Sequence, residues 1–476
     1  MKKLSSYSIS VLLVIFTFLV CFYTGCKKVD EIAMSQEEKI TMESSTAKEE
    51  ATETKVEAKG EKTHIIFWLG GQWDIPALFD YMTKIANKYM EENPDIEIEV
   101  VNLASETYFE QFLAAGEAGT GPDIVFTWPG VWTVEYAWKG WLAPLEDYIP
   151  EEEMAHYINT ESGDTWEGKH YRFPYWLSGR PILWNKTLFK QAGLDPDNFP
   201  KTWDEFLSTC EILKKAGITP IGFGALTYGG EHLFGFLGNQ MMNSPLDIIE
   251  MCIGEKSTLN DPRFSILWDK LDEMNKLGYF PKDVSSLTIW QGLELFEKGE
   301  AAMAFISEVA IGRVSETFGP ENVGAAIPPV YGSGKLAGKY VLEVQGACIT
   351  SWSKHKQEAA DFLMYLHTPE AMEQQYLETK AIIPDDRFDR SIITDPAQLQ
   401  NYDLIEKNGI ADFMTNFIPP MICTEGVDAG GELLFSGELD GKGFVNFCEE
   451  IAKKWRVSDP ETINNWKKWA EEGGFK

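Results

Sequence analysis

Alternating apolar and polar runs divide the chain from residue 63 onward into strands and helices. Residues 63–69, 95–101 and 122–126 are apolar, β-rich runs typical of strands. Helical spacing of apolar residues predicts a helix over 108–115, between the last two strands. This alternation predicts a doubly wound α/β lobe whose ligand would lie beyond the carboxyl ends of a parallel sheet. Three residues fall at that edge: Trp73, Glu106 and Trp128.

A second α/β lobe is predicted to begin with a helix over 203–215. Thr202 is a good N-cap, and Glu205 three residues later completes a capping box. Later apolar runs at 323–328 and 339–350 predict strands, which we expect to return to the first lobe.

Composition and charge narrow the kind of ligand. The length of 476 residues exceeds what one hydrophobic core usually holds, so two lobes are expected. A net charge of −32 opposes binding to nucleic acid or to an anionic membrane surface. The 16 Trp, 17 Tyr and 28 Phe are more aromatic residues than a core needs, and aromatic faces suit the apolar face of a pyranose ring. We expect most of these rings to be buried and a handful at most to contact a ligand.

The seven cysteines are scattered singly, without a CxxC pair or a spacing that indicates a zinc or iron–sulfur site. Two of them lie in the first 26 residues. We therefore expect no cofactor and no metal ion, and we expect the other five to be inert core thiols. Those five are Cys210, Cys252, Cys348, Cys423 and Cys448.

The N-terminal segment has the pattern of an export signal. Lys2 and Lys3 precede an apolar run over 9–22, which predicts a signal peptide over 1–25. Tyr-Thr-Gly then precedes Cys26, as in a lipobox, where the new N-terminal Cys is lipidated. Residues 26–62 are rich in Glu, Lys, Thr, Ser and Ala and predict a disordered tether. The alternative is ordinary secretion, with Cys26 lost or idle.

The order of several short motifs resembles the family 1 extracellular solute-binding proteins, the lipoprotein receptors of ABC sugar importers. An apolar run at 175–185 ends in Trp-Asn, a short helix ends in AGLD at 192–195, and Thr-Trp-Asp-Glu-Phe follows at 202–206. Pro-Asp before the strand at 122–126 and Gly-Glu-Ala-Ala-Met at 299–303 also match the family pattern. The resemblance covers essentially residues 63–455.

This resemblance implies a periplasmic-binding-protein-like fold of two lobes, joined by crossing segments, with the ligand in the cleft between them. The expected N-lobe is 63–174 plus about 311–366, and the C-lobe is 175–310 plus about 367–476. It also implies a non-catalytic, monomeric receptor that delivers a mono- or oligosaccharide to the permease of an ABC importer. We expect it to act at the extracellular face of the cytoplasmic membrane, held there by its lipid anchor alone.

Candidate ligand contacts lie on the crossover strand and at positions that depart from the family pattern. Trp176, Ser178 and Arg180 alternate along the strand and so share one face. Arg180 needs a partner if it is buried, which is either the ligand or an acid such as Glu343. Glu308 stands where relatives have an aromatic or small residue. The remaining candidates are Tyr228, His232 and Glu425.

Each candidate also has a structural interpretation. Trp73 and Trp128 would pack within the first lobe, and Glu106 would be a solvated surface acid. Glu308 and Glu343 would form ion pairs, and a lone His such as His232 is more often a structural residue than a contact. These alternatives stay open from the sequence.

Three other functions fit the composition. An extracellular glycosidase needs a pair of carboxylates about 5 to 9 Å apart, and nothing in the sequence marks such a pair. A receptor of the same fold could bind a polyamine or a metal complex through acidic residues. A purely structural surface lipoprotein would bind no solute.

Overall fold

The computed structural model describes residues 62–72, 75–158, 163 and 165–475, apart from the side chains of Ser105 and Glu106. The predicted signal peptide, Cys26, nearly all of the predicted tether and Trp73 lie outside these residues. The strands are β1 Thr63–Leu69, β2 Ile96–Asn102, β3 Ile124–Thr127, β4 Thr165–Trp166, β5 Lys169–His170, β6 Phe173–Gly179, β7 Ile182–Asn185, β8 Thr219–Ile221, β9 Ala301–Phe305, β10 Val323–Ala326, β11 Tyr340–Ile349 and β12 Ile410–Asp412.

Helices cover both sheets. They are α1 Ala77–Glu92, α2 Ser105–Ala118, α3 Val131–Trp138, α4 Glu151–Met154, α5 Lys186–Gln191, α6 Trp203–Lys215, α7 Gly229–Leu237, α8 Leu246–Ile253, α9 Pro262–Lys276, α10 Ile289–Glu297, α11 Ile311–Phe318, α12 Lys356–Tyr365, α13 Pro369–Thr379, α14 Pro396–Asn408, α15 Ala429–Ser436, α16 Gly441–Trp455 and α17 Pro460–Glu472. A π-helix at Ile422–Asp428 precedes α15.

The first sheet has a parallel core, as the strand and helix alternation predicts. In it, β1 pairs in parallel with both β2 and β3. The long strand β11 pairs antiparallel with β3 and β6, and parallel with β12. Helix α2 packs on β1 and β3 through Tyr108, whose ring lies edge-on to Trp68 and to Phe126 at centroid distances of 6.5 and 6.1 Å. The predicted strands of the first lobe are therefore confirmed.

The second sheet has the order β10, β7, β9, β8. Here β8 and β9 are parallel, whereas β7 is antiparallel to β9 and to β10. The expectation that 323–328 returns to the first lobe is wrong, because Val323 pairs with Asn185 of β7. Within the described residues, three elements differ from the expected lobe in the opposite sense. Residues 175–179 of β6 and all of β12 pair with β11 in the first sheet. Helix α13 packs on α1, where the Tyr81 hydroxyl donates to the Ala371 carbonyl.

Within the described residues, three segments carry the chain from one lobe to the other. Residues 180–181 join β6 to β7, residues 327–339 join β10 to β11, and the chain after β12 leads through the π-helix to α15 and α16 of the second lobe. The fold is therefore the expected two-lobe α/β architecture with crossing segments.

The capping box predicted for α6 is confirmed. The Glu205 amide donates to Thr202 Oγ1 at 3.3 Å, and the Thr202 amide donates to Glu205 Oε2 at 3.1 Å. The apolar face of α6 is buried at Trp203, Phe206 and Leu213. The five cysteines in the described part of the chain are buried and free, as expected for core thiols. Within the described ranges, no helix combines the length and the apolar character that crossing a membrane requires.

Candidate functional site

A buried ion pair lies where the chain first crosses between the sheets. Arg180 follows β6, and its guanidinium binds the Glu343 carboxylate of β11. The second carboxylate oxygen of Glu343 accepts a hydrogen bond from Asn416 Nδ2 at 3.0 Å. The Arg180 guanidinium also lies 4.6 Å from the Phe413 ring centroid, a cation–π contact. Arg180 is therefore paired with Glu343, which is one of the two alternatives left open by the sequence.

A chain of hydrogen bonds joins the two sheets beside this ion pair. Ser178 of β6 lies with its hydroxyl 3.0 Å from that of Ser307, which follows β9. The Ser307 hydroxyl donates to Glu308 Oε2 at 2.9 Å. Burial raises the pKa of Glu308 to about 8, so this carboxyl is largely protonated at neutral pH. Glu308 is thus a neutral hydrogen-bonding group here rather than a member of an ion pair.

Two acids and a thiol converge on the second lobe near Arg180. Glu231, Cys423 and Asp428 each place a potential ligand atom within 4.8 Å of the others. The Cys423 thiol donates to Glu231 Oε2 at 3.1 Å, and the Glu231 amide donates to Asp428 Oδ1 at 2.9 Å. Burial raises the pKa of both carboxyl groups; the Glu343 carboxylate raises that of Glu231 further, and Glu231 raises that of Asp428 further. Burial also raises the pKa of the Cys423 thiol. A metal would need the thiolate, so the arrangement favours protonated, hydrogen-bonded side chains over metal ligation.

The π-helix is what brings Cys423 and Asp428 together. Its wider turn places residues five apart closer to one face than an α-helix would, and π-helical turns occur frequently at functional sites. Glu425 lies on the same π-helix but is exposed, and it is not part of this cluster.

His232 is a satisfied structural residue in this arrangement. Its Nε2 donates to the Phe305 carbonyl at 2.6 Å, and its ring packs on Phe236 with centroids 4.7 Å apart. Burial lowers the pKa of His232 to about 4, so the ring is neutral at physiological pH.

The candidate aromatic contacts differ in how much of their surface is open. Trp176 is 1% exposed and packs beside Gly71, so its ring has no open face in this structure. Trp128 is half-buried, with Phe109 stacked on it at 4.4 Å and Trp132 edge-on at 5.4 Å. Tyr228 is 49% exposed at the start of α7. Trp73 and the Glu106 side chain lie outside the described residues.

The structure thus brings Ser178, Arg180, Glu308 and Glu343 together at the crossing, with His232 nearby. It adds four residues that the sequence does not single out: Glu231, Asn416, Cys423 and Asp428. Glu231 comes from the first turn of α7. The others come from the third crossing segment, whose pattern gives no sign of a π-helix.

The chain is similar in sequence and in fold to known binding proteins. Residues 72–373 match the family model of the bacterial extracellular solute-binding proteins. An uncharacterised ABC transporter extracellular-binding protein of Pyrococcus horikoshii is 26% identical over 63% of this chain and 67% of its own. The sn-glycerol-3-phosphate-binding periplasmic protein UgpB of Shigella flexneri is also 26% identical, over 77% of this chain and 84% of its own. A solved chitin oligosaccharide binding protein has a TM-score of 0.74 at 20% identity and covers 84% of this chain and 100% of its own.

Proposed function

This chain belongs to the family of bacterial extracellular solute-binding proteins, and from this premise we propose that it is a sugar receptor. The protein is the substrate-binding component of an ABC importer. It binds a mono- or oligosaccharide between its two lobes, closes around it and delivers it unchanged to the permease.

The observation that carries the choice of ligand is the buried polar cluster at the crossing. Ser178, Ser307 and Glu308 form a hydrogen-bonded row, and Glu308 is largely protonated at neutral pH because burial raises its pKa to about 8. Neutral carboxyl and hydroxyl groups both donate and accept hydrogen bonds, which is what the paired hydroxyls of a sugar require. The resemblance to a chitin oligosaccharide binding protein supports the same ligand class.

The charges at the crossing argue against an anionic solute such as the glycerol phosphate bound by UgpB. Arg180 is already neutralised by Glu343. The acids Glu231 and Asp428 lie close by and offer a phosphate no positive charge. Their raised pKa values also weaken their attraction for a polyamine, since a protonated carboxyl carries no charge.

The attachment to the membrane is part of the proposal. The basic residues Lys2 and Lys3, the apolar run after them and Cys26 fit a lipoprotein that is exported, lipidated at Cys26 and held at the extracellular face. We propose a monomer that contacts the permease subunits and carries no cofactor. Mass spectrometry of the N-terminal peptide from cells would detect the lipid on Cys26, whereas an unmodified mature N-terminus would contradict it.

A thermal-shift screen tests the proposed ligand class. The purified protein would be heated with monosaccharides, with chitin, xylan and malto-oligosaccharides, and with spermidine and glycerol 3-phosphate. Stabilisation by a carbohydrate, with the sugar recovered intact by chromatography, is the expected result, because binding to the native state alone raises its stability. Hydrolysed sugar would indicate an enzyme. Stabilisation by spermidine or glycerol 3-phosphate alone would contradict a sugar receptor.

A further inference from the structure

An exposed tryptophan lies at the start of helix α10 on the second lobe. Trp290 is 60% exposed, and within the described part of the chain no other aromatic ring stacks on it. Its backbone is nevertheless held firmly. Thr288 and Gln291 form a capping box around it, and Gly292 packs so closely on Phe223 and Gly224 that an added Cβ would lie 2.1 Å from their backbone atoms. Rigid presentation of an open ring is the arrangement that stacking on a ligand requires.

The strand-like pairing at Leu226 places Trp290 beside the loop that carries Tyr228. The Leu226 amide donates to the Leu287 carbonyl at 2.9 Å, and the Ile289 amide donates to the Leu226 carbonyl at 3.2 Å. Leu226 and Thr288 therefore form a parallel bridge. Tyr228 and Trp290 each follow this bridge by two residues, so the two aromatic residues leave the same edge of the second lobe.

The loop that carries Tyr228 is held in a costly conformation. Thr227 and Tyr228 both have a φ of 59°, in the left-handed region that non-glycine residues rarely adopt. The Thr227 amide donates to Glu432 Oε1 at 3.1 Å, and Gly230 packs against the Val427 backbone, which together fix the loop. The half-exposed Tyr228 side chain is thus presented from a rigid support, as Trp290 is.

The same loop connects this edge to the cluster at the crossing. The Tyr228 carbonyl accepts a hydrogen bond from the His232 amide at 3.0 Å, within the first turn of α7. That turn also carries Glu231, which interacts electrostatically with Arg180 and Glu343. Tyr228 therefore lies one helical turn outward from the buried polar groups, and Trp290 lies beside its loop.

We propose that Tyr228 and Trp290 form an outer carbohydrate subsite, on which the sugar units of an oligosaccharide that extend beyond the cleft stack. The proposal rests on the proposed sugar-receptor function and sharpens it to oligosaccharides. Flat aromatic faces on a rigid support suit the apolar face of a pyranose ring, and a solvent-exposed indole gains by covering that face. The outer units add affinity while the inner units bind at the crossing.

Calorimetric titration along an oligosaccharide series tests the subsite. Chitin, xylan and malto-oligosaccharides, from the monosaccharide to the hexasaccharide, would be titrated into the wild type and into Trp290→Ala. Loss of one stacked ring should weaken binding of the longest ligand about tenfold, which corresponds to about 1.4 kcal/mol, and should leave the shortest bound ligand unchanged. Trp290→Phe should retain most of the affinity. Val457→Ala, which truncates an 80% exposed apolar side chain between α16 and α17, should change nothing.

The outcomes separate the subsite from the function on which it rests. Equal affinities of Trp290→Ala and wild type at every chain length would overturn the subsite while the receptor function stands. If Trp290→Ala bound every sugar as wild type does but no longer supported uptake in cells, Trp290 would belong to the permease interface. That result would also overturn the subsite. Absence of binding by every carbohydrate would overturn both proposals. Unchanged melting temperature of Trp290→Ala without ligand would exclude misfolding as a cause.

Discussion

At the scale of single residues, Arg180 and Glu343 form a largely buried ion pair at the crossing. The two side chains are 15% and 5% exposed, so removing one partner leaves the other charge buried and uncompensated. Asn416 and the Phe413 ring complete the surroundings of the pair. It joins the crossing segment after β6 to the long strand of the first sheet.

We expect Arg180→Met to lower the free energy of unfolding by about 3–5 kcal/mol, because it leaves the buried Glu343 carboxylate without its positive partner. The matched control is Arg313→Ala, which breaks an exposed pair with Glu297 and should cost at most about 1 kcal/mol. Urea unfolding would measure both. Equal losses in the two variants would show that the pair at the crossing contributes no more than a surface contact.

The raised pKa of Glu308 predicts that the free energy of unfolding depends on pH. Its pKa is raised from 4.5 to about 8 by burial, so between these values the unfolded chain loses its proton while the folded protein keeps it. The folded state therefore loses stability through this group as the pH rises from about 4.5 to about 8, and the penalty is constant above that.

Glu308→Gln should remove this penalty. Relative to wild type, the variant should gain stability as the pH rises through that window, and below it the difference should be constant. Urea unfolding at a series of pH values would measure the slope, with Glu425→Gln as the control at an exposed acid. A stability difference between Glu308→Gln and wild type that does not vary with pH would contradict a raised pKa at Glu308.

At the scale of elements, the helices of the second lobe are divided between scaffold and site. Helix α6 is capped at Thr202 and buries its apolar face in the lobe, whereas α7 brings Glu231 and His232 to the crossing. The capping box should therefore affect stability without affecting the ligand.

Thr202→Ala should cost about 1 kcal/mol of stability, since an amide of the first turn loses its acceptor. Ser208→Ala in the middle of the same helix, on its exposed side, should cost much less. Chemical denaturation would measure both, and sugar affinity should be the same in all three proteins. A change in affinity on Thr202→Ala would place α6 in the binding machinery instead of the scaffold.

The elements that the sequence predicts well are those with local causes. The capping box, the helix spacing after it and the strands of the first lobe follow from neighbours in the chain. The π-helix does not, because its residues would fit an α-helix equally well by spacing. The contact between Glu231 and Asp428 spans 197 residues, and no local pattern brings them together.

At the scale of the whole molecule, two lobes joined by crossing segments provide the hinge that ligand capture requires. Sequence order predicts both lobes and the first crossing. It assigns β10, β12, α13 and most of β6 to the wrong lobe, because a short apolar run does not specify which sheet it joins. Among the candidate residues, the four at the crossing were predictable from the alternation of one strand and two departures from a family pattern. Their mutual hydrogen bonds depend on long-range packing.

Isothermal titration calorimetry of the purified protein with a carbohydrate library tests the central claim most directly. At least one mono- or oligosaccharide should bind saturably with one site per chain, and it should remain intact after the titration. The account is contradicted if no carbohydrate gives a binding isotherm while the folded protein binds spermidine or glycerol 3-phosphate, or if the sugar is cleaved during the experiment.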